Sequence, residues 1–268
     1  MINDGKKSLL GIGINAVDYE SAVEQILQAA SEKRTLGVSA LAVHGVMTGV
    51  FDREHCYRLN SLELVVPDGQ PVRWGLNLLH RLDLPDRVYG PTLTLKVCEA
   101  AAAAGVSIYL FGSNAETLEQ LKLNLKEKYP NIHIAGSRPS KFRQLSAEER
   151  DELVEEIQQS GAGITLVGIG CPRQEVWAYE FRERLSMPVM AVGAAFAFHA
   201  GQLDQAPAWM GNWGLEWLYR FTKEPVRLWR RYMLLNPAYL TLLALQWLGL
   251  HTLKKTRGVQ PDSEVLYG

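Results

Sequence analysis

The sequence lacks the residue groupings that usually hold a metal ion or a disulfide framework. Its three cysteines, Cys56, Cys98 and Cys171, are scattered and form no Cys-x-x-Cys pair. Its six histidines form no His-x-x-x-His or His-Glu-x-x-His pair, and no Asp-x-Asp occurs. Hard cations prefer clustered carboxylates, and zinc prefers cysteines and histidines at short spacings. We therefore expect no metal site, and the scattered cysteines favour a reducing compartment.

The glycine motifs of common nucleotide-binding loops are also missing. Gly11-Ile12-Gly13 is followed by Ile14-Asn15-Ala16, without the third glycine of a dinucleotide fingerprint. A Walker A loop is absent as well. These absences weigh against a nicotinamide-dependent oxidoreductase, which we keep as an alternative, and they predict that no cofactor is bound.

Neither sign of charge dominates the composition. The 268 residues carry a formal net charge of −1, and 47% of them are hydrophobic while 21% are charged. This balance is typical of a globular protein with one large domain, or with one domain and an appendage. It indicates no nucleic-acid partner. Residues 1–7 are polar and charged, which predicts no secretory signal peptide.

What the chain does contain is a regular alternation of short β-branched runs and amphipathic segments of helical period. Such alternation predicts an α/β fold, with a mostly parallel sheet and helices on both of its faces. Ser-x-x-Glu capping boxes at Ser113 and Ser146 are expected to open two of the helices. The predicted strands are residues 9–14, 38–43, 62–66, 106–111, 132–135, 164–168 and 189–192, and the predicted helices are residues 19–32, 69–79, 93–104, 113–129, 146–159 and 173–185.

The pattern changes near Ala206-Pro207, beyond which only helical segments follow. We predict an α/β domain over residues 1–205 and a helical C-terminal appendage over residues 206–268. Asn236-Pro237 reads as a helix N-cap followed by a proline at the first helical position. It is expected to divide the appendage into two helices.

The appendage is apolar and rich in tryptophan. Residues 232–253 contain no Asp, Glu, Lys or Arg, while Arg230 and Arg231 precede them and Lys254 and Lys255 follow. Five of the seven tryptophans lie beyond residue 206. This combination predicts a membrane-associating helix that lies in the interface, because polar residues and a proline interrupt a bilayer span. A core helix or an oligomer interface is the alternative.

Asp68 stands where a buried β-branched run ends, in the turn Val66-Pro67-Asp68-Gly69. A carboxylate just past the end of a strand lies where open parallel sheets bind ligands. Asp68 could therefore be a general base or a ligand anchor. The same Pro-Asp-Gly sequence also suits an ordinary turn, and the turn by itself does not choose between them. Among the histidines we retain only His44, which ends a predicted strand.

A second candidate site is Gly168-Ile169-Gly170-Cys171-Pro172-Arg173-Gln174-Glu175, in which a strand runs through a glycine turn into a helix. Backbone N–H groups and the helix dipole can make such a helix start an anion site. The alternative is that the glycines only allow tight packing, while Gln174 and Glu175 form a solvated first turn.

Cationic residues recur in the appendage at spacings of three and four, which places most of them on one helical face. A clamp on a diphosphate or on anionic lipid headgroups would use such a face. The alternative is a solvated face paired with Glu216 and Glu224. The cations concerned are Arg220, Lys223, Arg227, Arg230 and Arg231.

Taken in order, these segments resemble the WecG/TagA/CpsF family of bacterial glycosyltransferases. The resemblance covers about residues 8–231, and its specificity lies in the order of segments that are individually weak. The segments are Val66-Pro67-Asp68-Gly69-Gln70-Pro71-Val72, Pro85-Asp86-Arg87-Val88-Tyr89-Gly90, Tyr109-Leu110-Phe111-Gly112, the Gly168 to Glu175 segment, Gly214-Leu215-Glu216-Trp217-Leu218-Tyr219-Arg220 and Glu224-Pro225-Val226-Arg227-Leu228.

The resemblance implies a Rossmann-like core that transfers a sugar, with inversion and without a metal, from a UDP-sugar to a polyprenyl-diphosphate-linked saccharide. It implies a peripheral or monotopic protein at the cytoplasmic face of the bacterial inner membrane, active in envelope or exopolysaccharide synthesis. The appendage would help to complete the site. Whether the protein forms a homo-oligomer is left open.

By the same resemblance, Asp68 is the catalytic base, while Arg87, Gln174 and the appendage arginines contact substrate. Gly170 and Arg173 belong to the same candidate anion site as Gln174. The residues predicted to bind substrate are His44, Arg87, Gly170, Arg173, Gln174, Arg220, Arg227, Arg230 and Arg231.

The chain departs from the family pattern in three places. Ala42-Val43-His44 replaces a T-x-N segment, Gln205-Ala206-Pro207 lacks the arginine of R-A-P, and Ser140-Lys141-Phe142 replaces a G-Y-F-like loop. These departures leave the donor open among glucose, N-acetylmannosamine and N-acetylmannosaminuronate types. A non-catalytic membrane-bound scaffold that has kept the fold is a further alternative.

Overall fold

The computed structural model describes residues 1–250 and 258–268, without the side chains of Ala208, Asn212, Arg227, Arg230 and Arg231. The strands are β1 (Asn3–Leu9), β2 (Ile12–Val17), β3 (Leu36–Leu41), β4 (Leu64–Pro67), β5 (Ile108–Gly112), β6 (Ile134–Arg138), β7 (Ile164–Gly168) and β8 (Pro188–Ala191). The helices are α1 (Tyr19–Ser31), α2 (Val43–Phe51), α3 (Arg53–Ser61), α4 (Gln70–His80), α5 (Gly90–Ala104), α6 (Ala115–Lys128), α7 (Ala147–Gln159), α8 (Arg173–Phe181), α9 (Ala195–His199), α10 (Ala208–Asn212), α11 (Glu216–Lys223), α12 (Pro225–Arg230) and α13 (Asn236–Trp247), with a π-helical turn at Arg231–Leu235.

Six of the strands form one sheet, in the order β4-β3-β8-β7-β5-β6, and every neighbouring pair is parallel. Successive side chains of a strand enter two separate apolar clusters, one on each face. In β4, for example, Val65 joins one cluster while Leu64 and Val66 join the other. Because both faces are covered, the strands read as continuous apolar runs. The predicted α/β class, with its mostly parallel sheet, is confirmed.

The prediction of one strand at residues 9–14 is wrong, because a turn lies inside that run. Leu10 and Gly11 have φ angles of 52° and 86° and join β1 to β2 in an antiparallel hairpin. Two successive positive φ angles suit the right-handed twist of a two-residue hairpin. The hairpin lies beside β4, where the side-chain oxygen of Asn15 accepts a hydrogen bond from the N–H of Val65 at 2.8 Å.

The remaining predicted strands and helices occur, most of them with shifted ends, while α2, α3 and α9 were not predicted. The helix α2 contains two glycines and three valines, which have low helix propensity. Packing overrides that preference, since a Cβ on Gly49 would come within 2.7 Å of the side chain of Ile12. The capping box at Ser146 is confirmed. The one at Ser113 is wrong, because Ser113 has a φ of 53° and Asn114 caps α6 instead.

A helix does begin at Asn236-Pro237, since α13 starts at Asn236 with a proline in its first turn, but Asn236 is not the N-cap and the helical backbone is not interrupted before it. Leu235 has helical angles, with φ −78° and ψ −35°, and the π-helical turn continues directly into α13. A proline in the first turn of a helix is tolerated because its missing N–H would have had no partner there. One face of α13 is buried, through Tyr239 and Leu243, and the hydroxyl of Tyr239 donates to the carbonyl of Pro71 at 2.7 Å.

The chain returns to the α/β body at residues 258–268. The two carboxylate oxygens of Glu180 accept hydrogen bonds from the backbone N–H groups of Val265 and Leu266, at 2.7 and 2.9 Å. Tyr267 pairs with Gln144 in an isolated antiparallel bridge. These contacts join the C-terminal residues to α8 and to the segment that precedes α7.

Over the residues that the structure describes, none of the helices combines the length and the apolar character needed to cross a bilayer. The last part of the uncharged stretch 232–253, with Lys254 and Lys255 behind it, lies outside the described residues. The division of the chain into domains at residues 205 and 206 stays a prediction.

Candidate active site

The carboxyl ends of five sheet strands open into one large cavity of about 740 Å³. Segments that follow β3, β4, β5, β7 and β8 line one side, and residues 214–236 of the C-terminal helices line the other. Ligand pockets typically measure about 300–1,000 Å³, and parallel sheets bind ligands at this edge. The predicted site residues that line the cavity are His44, Asp68, Arg87, Gly170, Gln174 and Arg220.

Asp68 lies directly after β4, between the end of the sheet and the start of α5. Its Oδ1 accepts a hydrogen bond at 2.8 Å from the N–H of Gly90, the first residue of α5. Within the described residues, no hydrogen bond to Oδ2 is formed. One oxygen therefore holds the carboxyl at a helix N-terminus, and the other is available to a group in the cavity.

The surroundings of Asp68 make its carboxyl a weaker acid than usual. Burial raises the pKa of Asp68 from 3.8 to about 6, although the charge of Arg87 and the hydrogen bond from Gly90 oppose this rise. The negative charge of Glu216 contributes to the rise, and Arg220 opposes it. A carboxylate with a pKa close to physiological pH is suited to accept a proton from a substrate.

Arg87 bridges the α/β body and helix α11. Its Nη2 lies 2.6 Å from Oε2 of Glu216, and the hydroxyl of Tyr89 donates to Oε1 of the same carboxylate at 2.9 Å. The guanidinium of Arg87 also lies 4.2 Å from the centroid of the Tyr89 ring. Arg87 and Glu216 are each only 14% exposed. The alternative in which Glu216 pairs with the appendage arginines is therefore wrong, because its carboxylate pairs with Arg87.

The Gly168 to Glu175 segment is held together by its own side chains. Oε1 of Gln174 accepts from the N–H of Gly170 at 3.2 Å, and the N–H of Gln174 donates to the carbonyl of Gly170 at 3.0 Å. Gln174 and Glu175 are buried, so the alternative of a solvated first turn is wrong. Two of the N–H groups in the candidate anion site already have partners within the protein.

His44 and Arg220 both line the cavity. His44 lies in the first turn of α2, where its Nδ1 is 3.1 Å from the hydroxyl of Thr48. Arg220 lies in the last turn of α11, and its guanidinium is 5.8 Å from the centroid of the Phe198 ring. Both side chains are partly exposed, so both can contact a ligand.

For four of the predicted substrate-binding residues, the described contacts do not show a place at the cavity. Arg173 is exposed, does not line the cavity and lies over the ring of Tyr267, with its guanidinium 5.6 Å from the ring centroid. The side chains of Arg227, Arg230 and Arg231 lie outside the described part of the chain. Their roles stay predictions.

A sequence model of the glycosyl transferase WecG/TagA/CpsF family matches residues 7–252. This match extends over more than nine-tenths of the chain. The chain belongs to the WecG/TagA/CpsF family of glycosyltransferases. A glycosyltransferase takes a sugar from a donor and passes it to an acceptor, so this family's site has to admit both molecules.

No cluster of three or more His, Cys, Asp and Glu side chains with the placement of metal ligands occurs in the described parts of this glycosyltransferase. Asp68, Glu175 and Glu216 line the cavity, and arginines lie near the first and the last of them. The absence of a metal from the reaction stays a prediction.

Several residues of the site were not identified from the sequence. Tyr89, Glu216, Trp217 and Tyr232 all line the cavity. The aromatic rings of Trp217 and Tyr232 pack 5.7 Å apart. Tyr89 and Glu216 stand inside two of the segments that carry the family resemblance, which was the available signal. Their mutual contact could not be read from the sequence, because 127 residues separate them.

Proposed function

We propose that this glycosyltransferase transfers a hexose from a UDP-sugar to a polyprenyl-diphosphate-linked saccharide, with inversion at the anomeric carbon and without a metal. Asp68 removes the proton of the acceptor hydroxyl as that oxygen attacks C1 of the donor. UDP leaves from the opposite face of the sugar. General-base assistance of this kind contributes about 10²–10⁴-fold in rate.

The observation that carries the proposal is the state of Asp68. Its carboxyl lies at the cavity, its pKa is about 6, and Oδ1 is held by the N–H of Gly90. A base with this pKa is ionised at neutral pH and can still hold the proton that it removes. A carboxyl that served only as a turn former or helix cap would need neither burial nor a raised pKa.

Arg220 supports the departure of UDP in this proposal. Negative charge develops on the diphosphate as the bond to C1 breaks, and a preplaced guanidinium stabilises such charge. Arg220 lines the cavity and lies close enough to Asp68 for its charge to lower the pKa of that carboxyl. His44 and Gln174 line the walls beside it and would position the sugar and the nucleotide.

The experiment that tests the proposal is a transfer assay with purified protein, a panel of UDP-hexoses and a polyprenyl-diphosphate-linked saccharide. We expect UDP release only when donor and acceptor are both present, unchanged by a chelator, with the opposite anomeric configuration in the product. A requirement for Mn²⁺ or Mg²⁺, or retention of configuration, would overturn the corresponding part of the proposal.

We also propose that the C-terminal helices bind the inner membrane from its cytoplasmic face, beside the lipid-linked acceptor. Exposed large apolar side chains are concentrated in these helices, and such a concentration is typical of interaction sites. On α13, Leu240 and Trp247 are each 58% exposed, while Tyr239 and Leu243 are buried. The exposed large apolar residues of this region are Trp209, Trp213, Leu218, Val226, Trp229, Met233, Leu234, Leu240, Trp247, Leu248 and Leu250.

Replacing Leu240 and Trp247 together by glutamate should reduce liposome binding at least about tenfold, because two apolar contacts become charged groups. Flotation with vesicles that contain anionic lipid measures this change. Leu123→Glu is the matched control, since Leu123 on α6 is 62% exposed and lies outside the C-terminal helices. Unchanged flotation of the double variant, or an equal loss in the control, would contradict the membrane role.

A further inference from the structure

A buried carboxyl packs beside the turn at residues 168–172. Glu175, the third residue of α8, is 1% exposed. Its Oε1 accepts hydrogen bonds from Nε2 of Gln174 at 2.9 Å and from the hydroxyl of Ser39 at 3.4 Å. Its Oε2 is buried and forms no hydrogen bond within the described residues. Burial raises the pKa of Glu175, which favours the neutral form of the carboxyl.

Gln174 and Glu175 both line the cavity, and the amide of Gln174 lies between this carboxyl and Gly170. The amide nitrogen of Gln174 is engaged by Glu175, and so its amide oxygen faces the N–H of Gly170, from which it accepts at 3.2 Å. With the amide rotated by half a turn, an NH₂ group would face the N–H of Gly170, and two donors would oppose each other. The hydrogen bond to Glu175 therefore selects the one orientation of Gln174 that supports the turn.

The backbone of Gly170 is left-handed, with a φ of 83°, and glycine reaches this conformation and others without strain, so a hydrogen bond is what restricts it. The residues on either side of it, Gly168, Cys171 and Gln174, line the cavity. A turn that is held at its central N–H presents one fixed wall to a ligand. Fixing a wall before the ligand arrives reduces the ordering that binding must otherwise impose.

We propose that Glu175 is a positioning residue for glycosyl transfer: it orients the amide of Gln174, which in turn fixes the Gly170 turn against the donor. This inference rests on the proposed binding of the donor at that wall. Glu175 acts in it as a hydrogen-bond acceptor, and no proton is transferred. A glutamine at position 175 can accept the same hydrogen bond, whereas an alanine cannot.

The kinetic test compares Glu175→Gln, Glu175→Ala, Gln174→Ala and the double alanine variant in the transfer assay. Loss of one hydrogen bond corresponds to about a 3–10-fold change, so Glu175→Ala should raise the donor KM by that factor. Glu175→Gln should restore most of the loss. The double alanine variant should be no worse than Gln174→Ala, because both changes remove the same support. Additive effects would overturn the proposal, as would a Glu175→Gln variant as impaired as Glu175→Ala.

A second measurement needs no substrate and separates this proposal from the proposed function. Hydrogen exchange at the amide of Gly170 should accelerate in Glu175→Ala and Gln174→Ala to a similar degree, and should stay slow in Glu175→Gln. Slow exchange in Glu175→Ala would overturn the positioning role. If the wild-type protein uses no UDP-sugar, the proposed function fails, and this exchange measurement still decides how Glu175 acts.

Glu180→Ala is the matched control for both measurements. Glu180 is a second buried glutamate of α8, and its pKa is also raised by burial, but its carboxylate holds Val265 and Leu266. We expect this variant to lower the melting temperature without changing the donor KM or the exchange of Gly170. An equal effect on the donor KM would show that the loss of any buried carboxyl in α8 disturbs the cavity, and it would overturn the specific role of Glu175.

Discussion

Replacing Asp68 by asparagine is expected to lower kcat by about 10²–10⁴-fold, the contribution of a general base. The fold should survive, because an asparagine side chain can also accept the hydrogen bond from Gly90 at the start of α5. In the wild-type protein, kcat/KM should fall about tenfold per pH unit below pH 6, where the carboxyl of Asp68 becomes protonated. The variant should lose this acid limb. Steady-state kinetics between pH 4.5 and 8.5 measure both effects.

Asp68→Asn should lower kcat but raise the free energy of unfolding. The folded pKa of Asp68 is about 6, against 3.8 for the model carboxyl, so the folded state binds the proton more tightly. The protonated carboxyl of Asp68 therefore contributes to the stability of the folded state below about pH 4. This contribution to stability is lost as the pH rises through 6. Allowing for its partial contact with solvent, we expect Asp68→Asn to be more stable by about 1–2 kcal/mol at pH 8 and unchanged near pH 4.

Asp83→Asn provides the matched control, because Asp83 is an exposed carboxylate in the segment that follows α4. It should change neither kcat nor the melting temperature. Turnover of Asp68→Asn close to that of the wild type would remove Asp68 as the base. A destabilised variant at pH 8 would instead show that the carboxylate of Asp68 serves the structure.

Replacing Glu216 by alanine is expected to lower kcat/KM by about 10²-fold, the effect of a small misplacement of binding groups. Helix α11 buries none of its own side chains fully, and the carboxylate of Glu216 joins it to Arg87 and Tyr89. Removing one partner of a largely buried ion pair costs up to about 3–5 kcal/mol, because the other charge is left unpaired. We expect α11, with Arg220, to lose its fixed position over the cavity.

Loss of Glu216 also has a signature in the pH profile. Its negative charge raises the pKa of Asp68, and Arg87 lowers it. Without Glu216, the positive charge of Arg87 is no longer balanced by a neighbouring carboxylate, and it lowers the pKa of Asp68 further. The acid limb of kcat/KM should therefore move to lower pH. Glu216→Gln should show the same shift with a smaller loss of rate, since an amide can still bind Arg87 and Tyr89. An acid limb that stays near pH 6 in both variants would contradict the coupling.

An exposed ion pair between Lys223 of α11 and Asp204, which precedes α10, serves as the comparison. Lys223 and Asp204 lie 3.5 Å apart and are 57% and 76% exposed. Exposed ion pairs contribute about 0–1 kcal/mol to the stability of the folded state. Asp204→Asn should therefore leave turnover and the pH profile unchanged. A loss as large as that of Glu216→Ala would mean that α11 is sensitive to any surface charge.

Local sequence patterns predicted most strands and helices of the fold. The spacing of apolar residues and the capping residues at helix ends are both set within a few neighbouring positions. The box at Ser146 and the strand at residues 164–168 are examples. Prediction failed where a distant contact overrides local preference. The glycine- and valine-rich α2 is helical although its residues disfavour helices, and its Gly49 leaves room for the distant Ile12, while the run at residues 9–14 folds back at Leu10. Neither fact is expressed in the neighbouring sequence.

The candidate site was only partly predictable for a related reason. The sequence placed three of the site residues: Asp68 and Gln174 after predicted strands, at the sheet edge, and Arg220 in the C-terminal appendage. It could not place the partners of those side chains. The pairing of Arg87 with Glu216 joins residues 129 positions apart, and Glu175 in α8 accepts a hydrogen bond from Ser39 in β3, 136 positions away. Such distances in sequence carry no periodic signal.

The sequence by itself determined the α/β class, the position of Asp68 after a buried strand, and the ordered segments of the glycosyltransferase family. The spacing of apolar residues, the residue types found in turns and the order of the family segments can all be read along the chain, because they depend on residues near one another in sequence or on their order. Only the tertiary structure decided the raised pKa of Asp68, the Arg87–Glu216 contact that holds α11, and the buried amide and carboxyl behind Gly170. These depend on desolvation and on charges brought together by folding, which no local pattern encodes.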